Sequence, residues 1–288
     1  MSNLMENIKN LREITGAGFL DCKNALAENN NDIESSADSL RKKGLIKASK
    51  KSNREAKEGA IGIYTNENFT TIIQINTETD FAAKNDVFLS FMDEIGKFSL
   101  NNDCLNMSID NFNKYVVNEK TIVDHFKDMI FKIGENIILS KLLFIEHEEN
   151  SLISTYIHNP YKKNIGKIAV TLKTKIANIN DEARKFGKNL CMHIAASKPL
   201  SINIDELDKD FIEKEKSLLI ETIKISGKPD NIIDKILEGK MKKFYSEITF
   251  LNQKYILDPD KSVEEAINDC SKQNKFEVVS FNLVVLGS

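Results

Sequence analysis

The chain has no tryptophan, four histidines and four cysteines in 288 residues, and its charges almost cancel. Each scarcity closes off a class of function. The cysteines, Cys22, Cys104, Cys191 and Cys270, are far apart and form no CxxC pair, so neither a zinc knuckle nor a redox dithiol is signalled. Isolated thiols of this kind suit a reducing compartment and a buried, unreactive setting. The histidines, His125, His147, His158 and His193, show no i, i+4 pairing, and no HExxH or serine-elbow pattern occurs. Lys and Arg number 40 against 43 Asp and Glu, a formal net charge of −3. That balance argues against general nucleic-acid binding, which gains from a basic face that releases counterions. No apolar run approaches the ~18 residues a membrane helix needs, and the N-terminus lacks a basic-then-apolar signal pattern. Gly16-Ala17-Gly18 fits neither the dinucleotide fingerprint nor the P-loop, so no phosphate cradle is expected.

What is present is a soluble composition, 41% hydrophobic and 29% charged, in a chain long enough for two or three domains. Leu4, Ile8 and Leu11 make one apolar helical face. Thr15 to Gly18 breaks that helix, and Phe19, Cys22, Ala25 and Leu26 start a second stripe. Ile33, Ala37 and Leu40 make a third, which Gly44 is expected to close. Residues 47–58 are charged and read as a linker. Strands are expected near 60–65 and 69–76, then a helix from about 86 with Phe88, Phe91, Met92, Ile95 and Phe98 on one face. Residues 99–120 read as helix ends and loops, and 121–134 as another helix.

Strand, strand and helix then recur, at Ser151 to His158, Gly166 to Lys175 and Asp181 to Ser197, with Pro199 beyond the end. This repeated order reads as an internal duplication. Leu207, Phe211, Leu218 and Ile225 stripe one further helix and Ile232, Ile236 and Phe244 another, with Gly227 and Pro229 between them. That pattern predicts an antiparallel helical hairpin, expected to project from the core. Val279, Phe281, Leu283 and Val285 alternate as a final strand.

One heptapeptide stands out: Thr79-Asp80-Phe81-Ala82-Ala83-Lys84-Asn85, a short turn between the second strand and the helix. Thr79 and Asp80 are good capping residues, and Phe81 follows where a side chain ordinarily faces solvent. An aromatic there is either folded back into the core or held out for a partner.

This heptapeptide and Arg12 to Ala25 (REITGAGFLDCKNA) resemble the elongation factor Ts family, guanine-nucleotide exchange factors for elongation factor Tu. Lys132 to Ile137 (KIGENI), Met192 to Pro199 (MHIAASKP), Ser226 to Pro229 (SGKP) and Glu238 to Phe244 (EGKMKKF) extend the resemblance in family order over the whole chain. The resemblance implies an α+β protein. It has a ubiquitin-associated-like three-helix module over residues 1–54 and two related core subdomains with small antiparallel sheets, over 55–144 and 145–288. The hairpin, at about 205–247, and the final strand lie within the second. It further implies a cytoplasmic, non-enzymatic partner of elongation factor Tu that needs no cofactor and touches neither nucleotide, nucleic acid nor membrane. The Asn- and Lys-rich, Trp-free composition and the want of an Arg-rich leader favour a bacterial cytoplasm over an organelle.

In the family the Asp-Phe pair intrudes into the GTPase domain and disturbs its Mg²⁺ site. By resemblance, Thr79, Asp80, Phe81 and Ala82 carry this action, with Ala83, Lys84 and Asn85 beside them. Ala82 stands where relatives carry a slightly larger aliphatic residue, a change that trims contact area and leaves the wedge. Phe19, Leu20 and Lys23 are implied to dock the helical module, although Phe19 and Leu20 equally suit the bundle core. His158 is implied to meet a β-barrel domain of the partner. Two other classes of function stay open on the residues alone. An adaptor would bind through residues 1–54 and find Phe81 dispensable. An enzyme centred on Cys191, Met192 and His193 would need a depressed thiol pKa at Cys191.

Overall fold

The computed structural model describes residues 2–51, 53–225 and 229–287. The chain divides into two compact units: residues 1–146, 159–167 and 285–288 form the first, and 147–158 and 168–284 the second.

The first unit opens with α1 (Ser2–Thr15), α2 (Phe19–Glu28) and α3 (Ile33–Lys51). Ile8 and Leu11 of α1, Cys22, Ala25 and Leu26 of α2 and Leu40 of α3 close on one another as a small core. Gly16, at φ +67°, makes the turn out of α1, a conformation that favours glycine. Two expectations fail here. Helix α3 does not end at Gly44 but continues through the supposed linker to Lys51. Gly44 is buried, and a β-carbon on it would lie 3.0 Å from the Phe131 ring. Its glycine serves close approach, not termination.

Next come β1 (Glu58–Thr65) and β2 (Phe69–Thr77), paired antiparallel from Glu58↔Thr77 to Thr65↔Thr70. They are followed by the single turn α4 (Asp80–Ala83), by α5 (Asp86–Ser99) and by α6 (Ile109–Lys114). The stretch read as loops thus holds α6 and a hairpin of β3 (Val116–Val117) and β4 (Lys120–Thr121). Asn118 and Glu119 turn that hairpin with positive φ, the geometry that matches strand twist. Helix α7 (Ile122–Ile133) and β5 (Ile137–Glu146) complete the run, with β5 antiparallel to β2. Ile73 and Ile75 of β2, Phe88, Phe91, Met92 and Ile95 of α5, and Phe126 and Ile130 of α7 share the main core.

Strands β6 (Ser151–Lys162) and β7 (Ile165–Lys175) pass through both units. In the first, Ile165 and Gly166 pair with Gly62 and Ile61 of β1. In the second, β7 is followed by α8 (Asp181–Ser197), α9 (Lys209–Ile225), α10 (Asp230–Ile248), β8 (Lys254–Tyr255), β9 (Asp258–Ser262), α11 (Val263–Asn274) and β10 (Glu277–Val285). Leu152, Val170, Leu172, Leu190, Ile194, Phe250, Val263 and Phe276 form its core. The order strand, strand, helix therefore occurs twice, as β1-β2-α5 and β6-β7-α8.

Helices α9 and α10 run antiparallel, with the Phe211 ring 5.9 Å from that of Phe244. On α10 the expected Ile236 and Phe244 do pack against the shared core, but on α9 the packed face is not the expected stripe. Ile223, Ile233, Leu237 and Met241 are buried together, with Ile212, Leu219 and Ile220 against them. Leu218 and Ile225 are 50% and 86% exposed, so the packed face of α9 lies about one residue round from the one the sevenfold spacing suggests. Of the expected break, Pro229 directly precedes α10, and Ser226 to Lys228, including Gly227, lie outside the described residues.

Candidate functional site

The site begins where β2 and β5 part. Thr77, the last residue of β2, pairs with Ile137, the first of β5. Beyond that pair the residues 78–85 loop away on one side, and the residues 134–136 arrive on the other. Thr79 caps α4 from an extended conformation (φ −127°, ψ 157°), its Oγ1 accepting the Ala82 N–H at 3.3 Å. Asn85 caps α5 in the same way, its Oδ1 accepting the Val87 N–H at 2.8 Å. Between the two caps, Lys84 Nζ donates to Asp80 Oδ2 at 2.7 Å. That bond holds the Asp80 carboxyl below its usual range and the Lys84 ammonium above its own.

The turn has an inside and an outside. Ala83 is fully buried and belongs to the main core, and Ala82 is nearly so. Phe81 points the other way and is 83% exposed. Leaving a phenyl in water forgoes roughly 1.5–3 kcal/mol of burial free energy. The alternative of a folded-back core aromatic is therefore not what this chain adopts. Ala82 and Ala83 turn their methyls to the core, while Asp80, Phe81, Lys84 and Asn85 remain accessible.

The loops on either side of the Thr77–Ile137 pair are tied to each other by two carboxylates that sequence reasoning missed. Glu135 accepts the Thr79 hydroxyl at 2.6 Å with one oxygen and the Thr79 N–H at 3.0 Å with the other. In the opposite direction, Glu78 accepts the Asn136 N–H at 2.6 Å, and Arg54 lies 3.5 Å from its second oxygen. The Asn136 side chain donates to the Arg54 carbonyl at 2.7 Å. The signal was available: residues 132–137 are one of the stretches that carry the family resemblance, though no spacing rule links them to Thr79.

Phe19 and Leu20, on α2, are 44% and 66% exposed, and Lys23 is exposed as well. The bundle core is filled by Cys22, Ala25 and Leu26 instead, so Phe19 and Leu20 are not core residues. Phe19 borders a groove of about 520 Å³ together with Met5, Lys9 and Arg12. His158 is exposed near the end of β6 in the second unit, its Nδ1 3.1 Å from the Tyr156 hydroxyl.

The third reading, a thiol enzyme, loses its premise. Cys191 is fully buried, and burial pushes its thiol up rather than down. His193 is buried beside it in sequence, with Nε2 2.9 Å from Gln253 Oε1 and Nδ1 accepting the Ile256 N–H at 3.2 Å. That pattern makes Nε2 the protonated nitrogen of a structural imidazole. Among the described residues no helix is long and apolar enough to cross a membrane.

Comparison with known proteins bears on the whole arrangement. The family described as Elongation factor TS matches residues 78–288, which begins one residue before Thr79. A protein of Brucella anthropi named Elongation factor Ts is 39% identical over 265 residues, covering 92% of this chain and 86% of the relative. Its namesakes in Rhizobium meliloti and Sinorhizobium fredii are 39% identical over 282 residues and 40% identical over 265 residues, covering 97% and 92% of this chain and 91% and 86% of theirs. The chain belongs to the elongation factor Ts family.

Proposed function

We infer that this protein is a translation elongation factor that promotes guanine-nucleotide exchange on elongation factor Tu in the cytoplasm, as membership of the family implies. Such a factor needs no covalent chemistry. It must bind the nucleotide-free partner more tightly than the nucleotide-bound one, and linkage then makes bound factor weaken nucleotide to the same degree. Accelerating release about a thousandfold requires lowering the barrier by about 4 kcal/mol.

The finer mechanism we propose is insertion of the Asp80–Phe81 turn into the GTPase, with displacement of the groups that hold its Mg²⁺. That ion bridges the phosphates, so loosening it loosens the nucleotide. The observation that carries this reading is the 83% exposure of Phe81 on a turn capped at both ends. Burial of that ring in the partner would supply roughly 1.5–3 kcal/mol of the requirement. Phe19, Leu20 and Lys23 dock the helical module of residues 1–54, and His158 contacts a second domain of the partner. The remaining parts are a core subdomain over 55–144 and another over 145–288, from which the α9–α10 hairpin projects. Docking by residues 1–54 alone, the adaptor reading, has no single observation that favours it over the turn.

The test is release of a fluorescent GDP analogue from purified elongation factor Tu. The expected result is strong acceleration by this chain that shrinks as Mg²⁺ is removed beforehand, because the ion's hold is then already gone. No acceleration by the folded protein contradicts the exchange function. Acceleration indifferent to Mg²⁺ leaves exchange standing and contradicts displacement of the ion.

A further inference from the structure

The turn that presents Phe81 cannot hold itself. Helix α4 is four residues long, and one-turn helices are unstable in isolation because nucleation is costly. Its own backbone bonds are few and long: Ala83 N–H to the Thr79 carbonyl at 3.3 Å, Lys84 N–H to the Asp80 carbonyl at 3.2 Å and Asn85 N–H to the Ala82 carbonyl at 3.1 Å. The Asp80–Lys84 pair is an exposed i, i+4 contact, a type that contributes little. Beyond the burial of Ala82 and Ala83, what fixes the turn enters through Thr79. Its carbonyl accepts from Thr77 Oγ1 at 2.8 Å, and its N–H and hydroxyl both end on Glu135. The two bonds to Glu135 also lie at the surface, but they are charge-assisted and join the turn to a residue outside it, whereas the Asp80–Lys84 pair lies within the turn.

Glu135 is in turn poorly free to move. Gly134 before it closes α7 in the left-handed conformation (φ 85°), and its carbonyl accepts from Lys51 Nζ at the end of α3. Asn136 after it is 2% exposed and bonded to Glu78 and Arg54. Helix α7 itself seats Phe131 against Gly44 of α3. A continuous set of contacts thus runs from the three-helix module through α7 to the capping residue of the presenting turn.

We propose that Glu135 is a positioning residue for exchange: its carboxylate locks Thr79, and through Thr79 holds Phe81 in the presenting conformation. The proposal rests on the exchange reading and on the wedge role of Phe81. It acts through the turn and not through contact of Glu135 with nucleotide.

The experiment compares wild type, Glu135→Ala, Glu135→Gln, Phe81→Ala and the Glu135→Ala/Phe81→Ala double variant in stimulated GDP release, each titrated to saturation. Losing both bonds should lower the maximal release rate about tenfold while changing the half-saturating concentration less than about twofold. Glu135→Gln, which keeps one acceptor oxygen, should retain a larger share of the rate. The double variant should be no slower than Phe81→Ala by more than about twofold, because a misplaced ring and an absent ring fail alike. A full rate in Glu135→Ala overturns the proposal, as do losses that multiply in the double variant. If Glu135→Ala fails to fold by circular dichroism, Glu135→Gln decides in its place, a full rate with no loss being the overturning result. Wild type that does not accelerate release contradicts the exchange function instead. Phe81→Ala slow with Glu135→Ala fast contradicts the positioning role alone.

Discussion

The two units each lead a second strand into a helix, and the two connections are built differently. After β7, residues 176–180 run straight to α8: Ile176 is buried, Ile179 is 38% exposed, and Asn180 caps the helix by accepting the Ala183 N–H at 2.8 Å. After β2, residues 78–85 also end on a capping asparagine, Asn85, but place a whole extra turn before it. Only that inserted turn carries an outward phenyl. The shared strand–strand–helix order therefore does not require an exposed aromatic, because the second unit makes the same join without one. Phe81 is an addition to the architecture, and additions that cost burial energy point to binding.

The contrast can be broken first by stability. Phe88, on the buried face of α5, is fully buried, and Phe88→Ala should cost about 3–5 kcal/mol in urea unfolding. Phe81→Ala should stay within about 0.5 kcal/mol. Comparable losses at the two rings would mean that Phe81 packs after all.

The corresponding helices sharpen it next. Each has a glycine on the face that meets the first strand of its pair. A β-carbon on Gly96 would come 2.1 Å from a ring carbon of Tyr64, and one on Gly187 2.1 Å from the Ser154 hydroxyl oxygen. A tyrosine ring held by its hydroxyl on the Met92 carbonyl cannot step aside, whereas a serine hydroxyl can rotate. Gly96→Ala should lose about 2 kcal/mol and Gly187→Ala about 1 kcal/mol, by thermal or urea unfolding. Equal losses would show that the two interfaces are equally rigid.

The smallest effect concerns pH and belongs to the second unit. Burial lowers the pKa of His193 on α8, against the opposing pull of its Gln253 bond. The folded state then binds its proton less readily than the unfolded chain. Its contribution is complete above the ordinary histidine value of about 6.5 and is lost as pH falls through the lower folded value. His193→Gln should flatten that part of the stability–pH curve, and an unchanged slope would exclude His193 as its source.

Much of this was legible in the residues, and the misses have physical reasons. The β-branched run of β2 and the aromatic face of α5 have one strong period each, so their positions followed. Helix α9 has two adjacent apolar stripes, Phe211-Leu218-Ile225 and Ile212-Leu219-Ile223, and spacing cannot choose between them; packing against α10 did. Gly44 has two uses open to glycine, ending a helix or admitting a neighbour, and only Phe131 distinguishes them. Helix α11 carries a complete capping box, with Ser262 accepting the Glu265 N–H at 3.1 Å and Glu265 accepting the Ser262 N–H at 2.7 Å, a start signal that the Ser-x-x-Glu spacing alone makes legible. The Glu135–Thr79 bonds join residues far apart in sequence, which no local period can register.

The most direct test of the central claim is the rate at which Phe81→Ala, shown to unfold at the same urea concentration as wild type, releases GDP from elongation factor Tu. The account predicts a folded protein with most of its acceleration gone. A variant that keeps the full wild-type rate would contradict it and move the action to other contacts.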